Sequence, residues 1–224
     1  MDQDTHYRYA PETIIKAYSL GLFPMADGHD SPEIRFYDPD LRALIPLDAS
    51  TGKGVHIPRR LRRTVLKTPF EVTFNQDFAA VISGCAAPTA DRADTWINKD
   101  IKTLYIALHR MGFAHSVEVW HEGALVGGLY GVALRAAFFG ESMFSRRTDA
   151  SKIALVHLMA RLRNGGFAFL DAQFTNDHLK QFNITEIDRT NFKKMLATAL
   201  SWNATLNLET PSRDLVRPFL ASLD

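Results

Sequence analysis

The sequence has little of several features that would assign it to a familiar class. Cys85 is the only cysteine among 224 residues, so no disulfide can form within the chain, which is typical of a reducing compartment. No uncharged apolar run approaches the ~20 residues that a membrane-spanning helix needs. The polar, acidic N-terminus also lacks the basic-then-apolar layout of a signal peptide. We therefore expect a cytoplasmic protein with no membrane partner.

Net charge is also nearly absent. The chain has 26 Lys and Arg against 25 Asp and Glu, a net of +1. Because this balance excludes a whole-protein field that attracts nucleic acid, any such binding must use a local patch. The eight histidines are scattered, with no pair at the H-x-x-x-H spacing of a helical metal site. We expect no metal and no cofactor.

What is present is enough apolar sequence, 46% of the chain, to bury a core. Residues 1–95 predict a small irregular α+β domain, with one helix beginning at Pro11 and proline-punctuated extended pieces after it. Residues 96–224 predict a larger α/β domain, because helix, strand, strand, helix, strand and helix follow one another from about residue 100. We expect Thr148 or Asp149 to cap the longest helix and Thr190 to cap the last one. STGKG (50–54) is predicted to be a surface insert and 86–94 a polar loop.

A short basic helix is predicted after Pro58 from the stretch RRLRRTVLK. Leu61 and Val65 are four residues apart and can both face the core. The rest of the helix is cationic: Arg59, Arg60, Arg62, Arg63 and Lys67. A charge run usually covers a solvated face, but the same spacing also suits contact with nucleic-acid phosphates.

Three polar residues follow apolar strands. Glu141 ends the stretch RAAFFG, while Asp171 and Gln173 come two residues apart after FAFL, which predicts that both point to one face of their strand. If the strands are neighbours, the two carboxylates and the amide gather at one edge of the sheet, where α/β proteins bind ligands. Each residue alone is equally explained as solvated or helix-capping, so the pattern leaves both interpretations open.

The motif GESMFS followed by ASK, the stretch GFAFLDAQFTNDHL and the upstream pieces GLFPMA, HIPRRLRR and TWI resemble the leucyl/phenylalanyl-tRNA–protein transferases. The resemblance runs from about Glu12 to about Leu200. These enzymes move Leu or Phe from charged tRNA onto proteins whose first residue is Arg or Lys. The resemblance implies an acetyltransferase-like (GNAT-like) C-terminal domain with a mixed central sheet, preceded by a small N-terminal domain. It also implies aminoacyl-tRNA and acceptor proteins as partners, and we expect a monomer.

The resemblance also implies roles for the site residues. Glu141 matches the glutamate that reads the cationic first residue of the acceptor, and Asp171 and Gln173 match a pair at the reacting amine. We hypothesise that Asp171 orients Gln173, that Gln173 aligns the amine, and that the proton leaves through Asp171 or water. An apolar pocket for the aminoacyl side chain is implied at Leu129, Phe138, Leu155 and Leu158. Stacking surfaces for the terminal adenosine are implied at Trp96, Phe36 and Tyr37, and tRNA contacts on the basic helix.

The chain departs from the family pattern in three places. Phe36-Tyr37 stands where relatives usually carry a Trp-Trp pair. Arg135 stands where they commonly have glycine, and we expect it to be exposed on a hairpin. Residues 181–184, QFNI, replace a glycine-containing turn.

Two other functions fit the same residues. A CoA-dependent N-acyltransferase can have the same fold, but it typically needs a glycine-rich turn for pyrophosphate, and SRRTDASK has no glycine. A noncatalytic RNA-binding module, or a tRNA-dependent transferase with a different amine acceptor, is the other alternative.

Overall fold

A computed structural model describes residues 9–48, 54–88 and 94–223. Most of the predicted 50–54 insert and the middle of the predicted 86–94 loop lie outside these residues. In chain order the elements are α1 (Pro11–Ser19), β1 (Phe23–Ala26), β2 (Ile34–Tyr37), β3 (Leu41–Ile45), α2 (Arg59–Lys67), β4 (Glu71–Phe74), α3 (Phe78–Ala86), α4 (Lys99–Arg110), β5 (Ala114–His121), β6 (Ala124–Leu134), β7 (Ala137–Ser145), α5 (Ala150–Asn164), β8 (Phe169–Gln173), α6 (Asp177–Lys180), β9 (Thr185–Asp188), α7 (Arg189–Leu200) and α8 (Ser212–Ala221).

A central seven-stranded sheet has the order β4-β5-β6-β7-β8-β3-β9, and β1 and β2 form a separate antiparallel pair. Strand β7 runs parallel to β8, whereas β8 is antiparallel to β3, so the sheet is mixed, as predicted. Strands β3 and β4 precede residue 95 and pair with strands that follow it. Residues before 95 therefore contribute two strands to the same sheet as the residues after 95. The proposed domain boundary near residue 95 stays a prediction.

Helices cover both faces of this sheet. Leu61 and Val65 of α2 are buried in a cluster with α5 and α8, and Leu104 and Leu108 of α4 are buried in a second cluster with α1, α3 and α7. Burying a side chain of this size contributes about 1.5–3 kcal/mol, so each amphipathic helix is held mainly by its apolar face. No helix in the described ranges combines the length and apolar character that crossing a membrane requires.

The predicted helix caps are corrected. Asp149 precedes α5 in a left-handed conformation and makes no capping bond; its carboxylate accepts a hydrogen bond from Lys152 Nζ at 2.9 Å instead. The prediction for Thr190 is wrong, because Asp188 caps α7 by accepting from the Asn191 backbone N–H at 3.0 Å. Helix α8 follows α7, so α7 is not the last helix; Pro218 inside α8 weakens its helical pattern in the sequence.

Candidate active site

The middle of β7 and the end of β8 bring Glu141 and Gln173 together. The two strands pair in parallel, with Phe139 opposite Asp171, so Glu141 lies two residues beyond the last paired position. Gln173 Nε2 donates a hydrogen bond to Glu141 Oε1 at 3.1 Å. The strands are therefore neighbours and their polar residues meet, as the sequence predicted, but Glu141 does not end its strand, because β7 continues paired with β6 as far as Ser145.

Two helices supply further partners for Glu141. The Tyr18 hydroxyl of α1 donates to Oε1 at 2.6 Å, and the Tyr105 hydroxyl of α4 donates to Oε2 at 2.9 Å. The two hydroxyls also lie within hydrogen-bonding distance of each other, and both rings are fully buried. Although the residue keeps partial exposure, burial raises the pKa of Glu141 to about 7, against the hydrogen bonds from Tyr18, Tyr105 and Gln173, which lower it. At neutral pH this carboxyl is divided between its two protonation states, and an arriving cation favours the ionised one.

The raised pKa of Glu141 predicts a pH-dependent stability. Because the folded state holds this proton more tightly than the unfolded chain, the contribution is complete below the ordinary pKa and is lost as pH rises through about 7. The loss amounts to about 3 kcal/mol between pH ~4.5 and ~7. Urea denaturation of the wild type and Glu141→Gln across this range measures it. Because glutamine cannot ionise, the wild type should lose this stability relative to Glu141→Gln as pH rises, and parallel curves would contradict the raised pKa. Burial lowers the pKa values of His115 and His157 to about 4, so these two residues make stability rise with pH. Their contribution is the same in both proteins and cancels in the comparison.

Asp171 is fully buried and faces Arg42. Arg42 Nε lies 3.0 and 2.9 Å from the two carboxylate oxygens, and Nη2 lies 2.7 Å from Oδ2. Oδ1 also accepts the Gln173 backbone N–H at 2.7 Å. Burial raises the pKa of Asp171, and Arg42 opposes that rise. Both oxygens are therefore occupied, and the side chain has no exposed surface from which to accept a further proton.

Arg42 is the residue that sequence analysis missed. It lies on β3, is 1% exposed and sits between the rings of Phe23 and Phe192, with its guanidinium carbon 4.6 and 4.4 Å from their centres. Its Nη1 donates to the Gly21 carbonyl at 2.9 Å. The sequence signal for it is a single arginine immediately before the apolar run ALI. A charge placed there is carried into the core by its strand, and a buried charge requires a partner.

The backbone of Gln173 departs from regular strand geometry. Gln173 has φ 63°, a left-handed backbone that ends β8, and the register against β3 shifts between Ala43 and Leu44. The Gln173 amide consequently reaches Glu141 while the Asp171 carboxylate reaches Arg42. The partners of both groups lie against the same apolar cluster, so the turn gives the two side chains different partners without moving them to opposite faces of the sheet.

The four predicted pocket residues gather in one buried cluster on the α5 side of the sheet. Their exposed fractions are small: Leu129 5%, Phe138 0%, Leu155 4% and Leu158 1%. An apolar cavity of about 180 Å³ lies elsewhere, lined by Leu44, Phe169 and Met195 among others. The aminoacyl pocket therefore stays a prediction.

The predicted adenosine-stacking residues are all half-buried. Tyr37 stacks on Phe23 with ring centres 6.0 Å apart, and Phe36 meets Tyr9 edge to face at 5.7 Å. Trp96 packs against the same apolar cluster as both of them. Their role in binding adenosine stays a prediction.

The basic helix has the bounds that the sequence predicts, and its apolar residues are buried. Arg59, Arg60, Arg63 and Lys67 are exposed. Arg62 differs, because its Nε donates to the Ile57 carbonyl at 2.8 Å and its Nη2 to the Leu223 carbonyl at 3.4 Å. Four cations thus face solvent, and the fifth binds backbone carbonyls.

Comparison with known proteins decides the family. A model of the leucyl/phenylalanyl-tRNA protein transferases matches residues 51–197, and a model of their N-terminal domain matches residues 8–40. This chain belongs to that family. Proteins named leucyl/phenylalanyl-tRNA–protein transferase are 54% identical in Hyphomonas neptunium, over 88% of this chain and 74% of the relative, and 53% identical in Maricaulis maris, over 88% of each chain. The one from Rhodopseudomonas palustris TIE-1 is 50% identical over 91% of this chain and 88% of its own.

Two departures from the transferase family pattern have a local physical reason. Arg135 has φ 55° in the hairpin between β6 and β7, a conformation that glycine adopts without strain. It is exposed, as expected, and its guanidinium donates to Asn203. In the 181–184 segment, Asn183 has φ 55° and supplies the left-handed turn, while Phe182 is fully buried.

Proposed function

We propose that this protein transfers Leu, and also Phe or Met, from charged tRNA to the α-amine of proteins that begin with Arg or Lys, which marks those proteins for degradation. The observation that carries the proposal is the Glu141 carboxylate held 3.1 Å from the Gln173 amide just beyond the point where the pairing of β7 with β8 ends. Family membership supports a tRNA-dependent aminoacyl transfer, and the carboxylate supports a cationic acceptor.

The acceptor's cation gives the selectivity. A guanidinium or ammonium that reaches Glu141 gains charge-assisted hydrogen bonds of about 1.5–3 kcal/mol each. A neutral first residue leaves the carboxylate without that partner in a partly buried site, which costs binding energy. Selection of Arg and Lys therefore follows from one side chain.

The transfer itself needs little from the protein, because the aminoacyl ester is already activated. The acceptor's α-nitrogen attacks the ester carbonyl carbon, an amide bond forms, and the bond from that carbon to the ribose oxygen breaks. The ribose hydroxyl regains a proton, and the amine gives one to water. An α-amine titrates near ~7.7–8, so a fraction is already neutral at pH 7. Gln173 aligns the amine, and Asp171 holds the backbone of Gln173, so the contribution is mainly orientation.

The sheet geometry supports a meeting point for the two substrates. The β7–β8 pairing ends at Phe139 and Asp171, after which β7 continues paired with β6 alone. Glu141 contacts helices of one face through Tyr18 and Tyr105, while the predicted aminoacyl pocket belongs to the cluster on the other. The opening between β7 and β8 is where an acceptor from one face can meet an ester from the other.

The exposed cations of α2 predict salt-dependent tRNA binding. Replacing Arg59, Arg60, Arg63 and Lys67 together by glutamine should weaken binding and reduce the slope of log K against log salt by about 1 for each phosphate that the variant no longer neutralises. Filter binding at several salt concentrations measures this slope. The matched control replaces Lys99 and Arg110, exposed cations of α4 on the opposite face of the sheet. Equal slopes in both variants would contradict tRNA binding by α2.

A transfer assay tests the proposed function. Purified protein is mixed with tRNA carrying labelled Leu and with a peptide that begins with Arg, and label moving to the peptide is the expected result. A peptide that begins with Ala should receive little. Absence of transfer to any peptide, together with a thermal shift on adding acetyl-CoA, would instead support the N-acyltransferase alternative.

A further inference from the structure

We propose that Arg42 is a positioning residue for the transfer, fixing the Asp171 carboxylate and, through it, the backbone turn that presents Gln173. The inference rests on the proposed function and adds a residue from the N-terminal segment to it. Three segments far apart in the chain meet at this guanidinium: the α1–β1 turn through Gly21, strand β3, and the end of β8 through Asp171.

The contacts form one continuous chain of hydrogen bonds. The Gly21 carbonyl accepts from Arg42 Nη1, Arg42 Nε and Nη2 face the Asp171 carboxylate, and Asp171 Oδ1 accepts the Gln173 N–H. The last bond restrains a residue whose left-handed backbone (φ 63°) is uncommon for any side chain other than glycine. Gln173 in turn reaches Glu141. Movement of the carboxylate therefore moves the amide that aligns the amine.

The environment of Arg42 gives the guanidinium little freedom. The ring centres of Phe23 and Phe192 both lie within 4.6 Å of its central carbon, so packing against two rings restrains the group in addition to its charge. Lysine has a single charged nitrogen and cannot make the three directed contacts at once. Arg42→Lys keeps the positive charge and removes the fixed geometry, which separates the two contributions.

The chain offers a matched control in Arg161. It is 2% exposed and lies 4.2 Å above the ring of Phe74, much as Arg42 lies against its rings. Its described partners are the backbone carbonyls of Leu206, Asn207 and Thr210, which belong to the segment before α8. A lysine there perturbs a buried arginine of the same kind without touching Asp171.

The test compares Arg42→Lys with Arg161→Lys. Single-turnover transfer from labelled Leu-tRNA to an Arg-initiated peptide is measured at saturating substrates, with tRNA affinity and melting temperature measured alongside. We expect Arg42→Lys to transfer about 100-fold more slowly, because displacing the Gln173 amide by about 1 Å has an effect of this size. The affinity for tRNA should not change. Arg161→Lys should lower the melting temperature and leave the rate near that of the wild type.

A second variant covers the case in which Arg42→Lys is poorly folded. Arg42→Ala leaves a space of guanidinium size, and low-millimolar guanidinium should raise its transfer rate about tenfold without speeding the wild type or Arg161→Ala. The inference is overturned if folded Arg42→Lys transfers within about twofold of the wild-type rate. It is also overturned if Arg161→Lys, at the same loss of stability, loses as much transfer rate as Arg42→Lys does. A wild type that transfers no label overturns the proposed function itself, and the role of Arg42 in transfer falls with it.

Discussion

Replacing Glu141 by glutamine lowers kcat/KM for peptides that begin with Arg or Lys by about 10²- to 10⁴-fold, the equivalent of two charge-assisted hydrogen bonds. Peptides that begin with Ala, which never gained those bonds, lose far less. The variant thus loses discrimination as well as rate. Kinetics with peptides that differ only in their first residue give both quantities. Binding of tRNA should not change, because Glu141 is assigned to the acceptor alone.

Glu118 provides the matched control for this experiment. It is a fully buried carboxylate on strand β5, which β6 separates from β7, and it is bound by the Ser116 hydroxyl at 2.5 Å and the Thr73 hydroxyl at 2.8 Å. Glu118→Gln removes a buried charge of the same kind and should keep the preference for cationic first residues. If both variants lose that preference equally, or if Glu141→Gln retains it, Glu141 does not read the acceptor.

Replacing Asp171 by asparagine has two large effects. Transfer slows by about 100-fold, because the group that orients Gln173 loses its charge and one of its two acceptor oxygens. Stability falls by about 3–5 kcal/mol, because the buried Arg42 guanidinium loses its counter-charge. The dissociation constant for tRNA stays the same. Single-turnover kinetics, urea denaturation and filter binding measure the three quantities separately.

The control for Asp171→Asn is Asp177→Asn. Asp177 follows β8 on α6 and pairs with Lys180 at 2.6 Å, but this ion pair is exposed. Its loss should change stability by less than ~1 kcal/mol and leave transfer unaffected. A wild-type transfer rate in Asp171→Asn would rule out the proposed alignment of the amine by Gln173.

The parts of the site that could be predicted from the sequence are those carried by local pattern. Glu141 and Gln173 each come shortly after an apolar run, so their positions on buried strands are encoded within a few residues. The bounds of α2 are predictable for the same reason, from two apolar residues four apart in a cationic segment. The meeting of Glu141 and Gln173 then requires only that two strands be neighbours.

The parts that could not be predicted depend on pairing between distant segments. Arg42 faces Asp171 because β3 inserts between β8 and β9, more than a hundred residues away in the chain, and no periodicity records that register. Tyr18 and Tyr105 lie at apolar positions of α1 and α4, which fits their buried rings, but the pattern carries no information about the hydroxyls that bind Glu141. The left-handed turn at Gln173 is equally invisible, since glutamine has no special preference for it.

Citrulline has the shape of arginine without its charge, so a comparison of peptides that begin with one or the other isolates the interaction with Glu141. The ratio of kcat/KM for the two peptides with the wild-type protein should be about 100 or more, and should collapse toward 1 in Glu141→Gln. Equal transfer to both peptides by the wild type would contradict recognition of a cationic chain terminus by Glu141.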